Sequence, residues 1–205
     1  MQQSFTRYFV PFLLLFAFCL RLFCIFTQPY YIGPDGLEYD LVSKGIVRII
    51  RGIPLTNPEL FYKTATIRGW LYPLFLALVN LICGGKDPHL SVRIIQALID
   101  STSCLFIYLI GKELFGRRVG LLSLAVAVVY PPFLFFCTFI SQETTIIFLL
   151  SALMFFILKA FSLRRTGLFL VSGILLGIIT LYRPAFQFLF IPLSITLFII
   201  MNKRR

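Results

Sequence analysis

Charge is scarce in this chain: Asp, Glu, Lys and Arg make up 13% of its 205 residues, against about 25% in an ordinary soluble domain. With 59% of the residues hydrophobic, polar groups cannot cover a water-soluble fold, because a domain of about 200 residues still exposes some 30% of its unfolded surface. A soluble domain is therefore excluded, and lipid must be the solvent for most of the molecule. Histidine occurs once, at His89, with no partner of metal-ligand type nearby, so a solvated loop position is expected and no metal site. The five cysteines lie scattered in apolar runs without a C-x-x-C pair, which excludes a dithiol redox motif; they read as small hydrophobes. A Gly-rich phosphate loop is missing, as is a set of Ser, His and Asp. Acids are scarcer than bases, 8 against 19, for a net charge of +11. Such a balance raises the question of nucleic acid, but the placement of the charges answers it with membrane topology, and no nucleic-acid partner is expected.

About 20 apolar residues cross a bilayer as a helix. Runs near that length lie at 8–26, 92–111, 119–139, 144–161, 167–182 and 185–201. The first is longer than a signal-peptide core and leads into Thr27, Gln28 and Pro29 rather than a small-residue cleavage site, so it reads as a retained anchor. A shorter run at 70–83 decides the topology, since counting it as a span inverts everything after it. Cytoplasmic loops carry the excess of Lys and Arg. If 70–83 does not cross, the cytoplasmic side holds ten basic residues, among them Lys112, Arg117, Arg118, Lys159, Arg164 and Arg165, against one acid, Glu113. The expected fold is an all-α polytopic membrane protein: one transmembrane domain over 1–205, six spans, both termini cytoplasmic, and 70–83 in or dipping into the outer leaflet.

Residues 28–91 then form one long extracytoplasmic loop, where function is to be sought. At 100° per residue, Val42, Ile46, Ile49 and Ile50 share one face of a helix starting near Gly36, and Asp40, Lys44, Arg48 and Arg51 share the other. That pattern predicts an interfacial helix with its isoleucine face in lipid. Pro54, Asn57 and Pro58 read as turns. Trp70 and Tyr72 read as an aromatic anchor at headgroup depth.

The few polar groups near the outer face each need a reading. Asp35 and Glu38 have the spacing of a capping box, with Asp35 as N-cap and Glu38 at N3. Glu143 is placed to cap the helix that begins at Thr144. Arg68 and Arg183 stand at interfaces where arginines often reach lipid phosphates. Arg21 and Asp100 lie inside spans and could pair with each other. A functional reading takes the outer groups together: a carboxylate at the membrane surface is a general base toward an acceptor, and arginines neutralise the phosphate of a departing lipid carrier.

The order of four segments resembles the N-terminal half of the GT-C glycosyltransferases, in the group of protein O-mannosyltransferases and aminoarabinose transferases. The segments are PDGLEYDLVSKGIVRIIRGIP, RGWLYPLFLALVNLICGG, VRIIQALIDSTSCLFIYLIGKELFGRRVGLLSLAVAVVYPPFLFF with Glu143 following, and GILLGIITLYRPAFQFLFIPL. The resemblance implies transfer of a sugar from a polyprenyl-phosphate donor to an acceptor at the outer face of a bacterial-type plasma membrane, with no other cofactor. It puts Asp35 in the place of the catalytic Asp. Glu38, Tyr72 and Glu143 become candidate substrate-binding residues, and Arg68 and Arg183 candidate contacts to the lipid phosphate. Two departures are Gly36, where many members carry a second acid, and Gly69-Trp70, where a Pro-containing step is usual. Members are generally much longer, which implies a truncated transferase or a partner subunit supplying the C-terminal half. The alternative is a non-catalytic membrane subunit that binds a lipid carrier or a partner protein.

Overall fold

The computed structural model describes residues 2–83 and 88–195, with side chains from residue 8 onward. All regular structure among the described residues is helical: α1 Gln2–Thr27, α2 Pro34–Ile50, α3 Pro58–Arg68, α4 Leu71–Cys83, α5 Pro88–Phe115, α6 Arg117–Val129, α7 Pro131–Phe136, α8 Glu143–Leu163, α9 Thr166–Tyr182, and a 3-10 segment Pro184–Leu189. By length and apolarity α1 from Tyr8, α5 and α8 can each cross a membrane; α3 and α4, bent by 118° at their junction, make a fourth only if counted as one broken span. The remaining runs are shorter or broken. The expected continuous span at 119–139 stops at Val129, and α7 restarts at Pro131. The reason is covalent: Pro131 and Pro132 supply no amide donors to continue the ladder, and each restricts the residue before it. The run from 185 continues to 195, with its remainder outside the described residues. Side chains on α1 such as Tyr8, Phe12, Leu15, Phe23 and Phe26 stay exposed, as lipid-facing groups do.

Between α1 and α5, the described residues 28–83 are folded. Asn57 caps α3 by accepting the Leu60 amide at 3.0 Å, with Pro58 at the first helical position, so these residues start a helix instead of forming a simple turn. Gly69 ends α3 at φ 76°, a backbone state open to glycine at little cost; it lets α4 fold back sharply. The glycine thus provides the bend at the Gly69-Trp70 step.

The amphipathic face of α2 turns inward. Val42, Ser43, Ile46 and Val47 are buried, and Val42, Ile46 and Val47 form one apolar cluster with Phe61, Ala65 and Ala77 from α3 and α4. This corrects the lipid-facing reading of Ile46; Ile49 and Ile50 remain exposed. Protein supplied the apolar partner because α4 lies across α2. A second cluster joins α1, α5 and α6 around Ala17, Cys104 and Leu124. The largest joins α2, α4, α5, α8 and α9 through Tyr39, Tyr72, Ile140, Leu149, Ile179 and Tyr182, and it forms the floor of the candidate site.

Inside the membrane part, Arg21 and Asp100 do pair, both essentially inaccessible. The guanidinium also donates to the Ala17 carbonyl at 3.0 Å, to the Val128 carbonyl at 3.3 Å and to Cys104 Sγ at 3.3 Å. One cation therefore ties α1, α5 and α6.

Candidate functional site

Asp35 sits at the second position of α2, after the N-cap Gly33 and Pro34. Glu38 lies one turn further on. The capping-box reading is thereby corrected: proline at the first position shifts the cap to Gly33, and both acids turn to Arg68. That residue ends α3, where the Gly69 bend holds it over α2. Its Nη2 lies 2.6 Å from Asp35 Oδ1, and its Nε donates to the Glu38 carboxylate. Asp35 is 62% exposed, so this acid reaches solvent while ion-paired.

Glu143 and Arg183 arrive from the other side. Glu143 is the first residue of α8, and its carboxylate accepts the Ser141 hydroxyl instead of capping the helix. Arg183, between α9 and Pro184, approaches it at 4.0 Å and is 54% exposed. The two halves meet through Gly36, where a Cβ would lie 3.1 Å from the Ile140 carbonyl oxygen. A Cβ there is a tight fit that a shift of a few tenths of an ångström relieves, whereas the longer side chain of a second acid crowds the segment leading to Glu143 further. The missing acid and the close approach are thus one fact.

Tyr39 records the electrostatics of the cluster. Its ring is 2% exposed, and burial pushes its hydroxyl up to about 12, assisted by the negative charges of Asp35 and Glu143 and opposed by Arg68 and Arg183. All four charged groups therefore lie within electrostatic reach of one phenol, which stays protonated at neutral pH and is a donor, not a base.

Tyr72 differs from the expectation of a headgroup-depth anchor. It is 1% exposed, packs edge-on against Tyr39 with ring centroids 4.9 Å apart, and donates its hydroxyl to Gln96 Oε1 at 3.1 Å. Trp70 alone keeps the exposure. Tyr72 underlies the cluster because the bend at Gly69 turns α4 into the core. Gln96 was missed by sequence reasoning. Its signal is spacing: Arg93, Gln96 and Asp100 mark one face of α5 at helical intervals, and all three are buried.

His89 is likewise not a solvated loop residue. It stands in the first turn of α5, with Nε2 3.0 Å from Asp40 Oδ1, while Lys44 reaches the same carboxylate at 2.7 Å. Among the described residues no group of three His, Cys, Asp or Glu could hold a metal ion. A hollow of about 500 Å³ opens between α2 and α3, walled by Asp40, Lys44, Arg48 and Thr56; none of Asp35, Glu38, Arg68, Glu143 and Arg183 lines it.

These features define an integral membrane protein with a mixed-charge cluster at the ends of its helices. A family model described as dolichyl-phosphate-mannose-protein mannosyltransferase matches residues 68–205, about two-thirds of the chain. The chain belongs to this family of glycosyltransferases, which use polyprenyl-phosphate sugars. The match begins at Arg68 and takes in Glu143 and Arg183; Asp35 and Glu38 precede it. Comparison with curated proteins and with solved structures returns no match.

Proposed function

We propose that the chain transfers a sugar from a polyprenyl-phosphate donor to an acceptor at the outer membrane face, with Asp35 as the general base. The carrying observation is that Arg68 pairs with Asp35 and Glu38, Arg183 lies 4.0 Å from Glu143, and Gly36 brings the first group against Ile140 on the segment that leads to Glu143. In the proposed step the acceptor hydroxyl gives its proton to the Asp35 carboxylate as its oxygen bonds the anomeric carbon. The bond from that carbon to the phosphate oxygen breaks, and polyprenyl phosphate leaves with the electron pair. Arg183 suits the phosphate better than Arg68 does, because its contact with Glu143 is long and it is half exposed, whereas Arg68 is shared between two carboxylates. Glu38 holds Arg68 in place, Glu143 faces the sugar, and Tyr72 supports Tyr39 from below.

A donor analogue with a photoreactive group on the sugar is expected to label the segments around Glu143 and Arg183. Arg183→Gln should raise the donor KM about 10-fold to 100-fold, the range for a charge-assisted hydrogen bond. Labelling confined to the cytoplasmic ends of α5 and α6, with an unchanged KM, would contradict the reading.

The same reading includes the six-span topology, with both termini cytoplasmic in a bacterial plasma membrane. The bias of Lys112, Arg117, Arg118, Lys159, Arg164 and Arg165 to one side supports it. A cysteine at Thr56 should react with an impermeant reagent from outside and one at Arg117 only after permeabilisation. Reaction of Thr56→Cys solely from inside would sink this topology.

A further inference from the structure

We propose that Gln96 is a positioning residue for transfer: from inside α5 it sets the loop 137–142 and so aims Glu143 at the side of the site that holds Asp35. The proposal rests on the catalytic reading above, but its geometric part stands without it. The loop lies between α7 and α8 with no helical ladder of its own. Thr138 bonds back to Phe135, and Ser141 accepts the Glu143 amide; the carbonyls between them are met from α5.

The carboxamide of Gln96, fully buried, faces that loop. Its Nε2 lies 3.2 Å from the Phe139 carbonyl oxygen, 3.4 Å from that of Ser141 and 3.5 Å from that of Phe136. Two amide hydrogens are thus distributed over three carbonyls at the end of α7 and along the loop. The other end of the amide is fixed, since Oε1 accepts from Tyr72, and this settles which way the group points. Arg93, one turn earlier on α5, adds a contact at 3.5 Å to the Thr138 carbonyl. Downstream, Ser141 donates to Glu143 and Ile140 packs on Gly36. The buried amide therefore connects the Tyr72 layer to the segment that runs from Ile140, against Gly36, to Glu143. A glutamine in a membrane-embedded helix needs such partners to be tolerated, and here Tyr72 and the segment leading to Glu143 supply them.

The test uses the full chain in membranes. A Cβ at position 36 would lie 3.6 Å from Ile140 Cβ, within the spacing of disulfide-bonded pairs, about 3.5–4.5 Å. Oxidation of a Gly36→Cys, Ile140→Cys pair is expected to cross-link the chain when Gln96 is present. Gln96→Met should abolish the cross-link and lower kcat about 100-fold, the cost of misplacing a group by about 1 Å, with the donor KM nearly unchanged. Gln96→Glu keeps the shape and the bond from Tyr72 but offers the carbonyls at most one donor; it should give the same result if Gln96→Met does not fold. A cross-link formed equally well in both variants overturns the proposal, and so does a cross-link lost with kcat unchanged in a chain that is active. If the cross-link is lost while Asp35→Asn transfers sugar normally, Gln96 still positions the loop and the assignment of the base is what fails.

Discussion

Asp35→Asn is expected to lower sugar transfer by about two to four orders of magnitude, the usual contribution of a positioned general base, in a chain that remains folded. The structure makes this a clean substitution. Asp35 is not the N-cap of α2, a place that Gly33 holds, and Asn is close to it in size. Its ion pair with Arg68 is well exposed, and such pairs contribute about 0–1 kcal/mol. Its interaction with the α2 dipole adds about 0.3–1 kcal/mol. Arg68 also keeps Glu38 as a partner, so no guanidinium is stranded. A thermal-unfolding midpoint near that of the parent chain, together with collapse of kcat, is the predicted combination. Normal transfer with Asn at this position would reduce Asp35 to a surface partner of Arg68.

The largest stability effect is expected at Arg21. Removing one partner of a buried ion pair typically costs about 3–5 kcal/mol, because the remaining charge has no solvent. Arg21→Met would leave Asp100 with no cation, and one of its carboxylate oxygens is already unpartnered. It would also release the Ala17 and Val128 carbonyls from the guanidinium that donates to them. The double variant Arg21→Met, Asp100→Leu replaces the pair with apolar groups and should recover much of the loss. Both are measurable as thermal midpoints in detergent, by fluorescence-detected size exclusion. A double variant no more stable than Arg21→Met would mean that the cost lies in packing at Arg21 and not in the stranded carboxylate.

Much of this architecture was legible because hydropathy over about 20 residues is a strong signal and charges inside such runs are rare enough to be matched. Arg21 and Asp100 were paired on that ground alone. Asp35, Arg68, Glu143 and Arg183 could be grouped because a consistent topology put them all on one side. Finer features escaped for identifiable reasons. The capping box failed because Pro34 takes the first helical position and Gly33 the cap, so Asp35 falls two places too late to cap. The face of α2 was read correctly as apolar, but periodicity cannot say whether lipid or protein covers it, and α4 supplies protein at Ile46. Tyr72 looked like an interface residue beside Trp70; the bend at Gly69 sends the two in different directions. The break at Pro131 and Pro132 was visible as two letters yet outweighed by the apolar run around it. Gln96 was the costliest omission, since its helical register with Arg93 and Asp100 needed only a count along α5.

The central claim is that this chain breaks the bond between a sugar and a polyprenyl phosphate. The most direct measurement is release of polyprenyl phosphate from a labelled polyprenyl-phosphate sugar in membranes containing the chain, alongside membranes containing Asp35→Asn. The account predicts acceptor-dependent release with the parent chain and release at least about 100-fold slower with the variant. Equal release from both, or none from the parent chain in its native membrane with acceptor present, would contradict it.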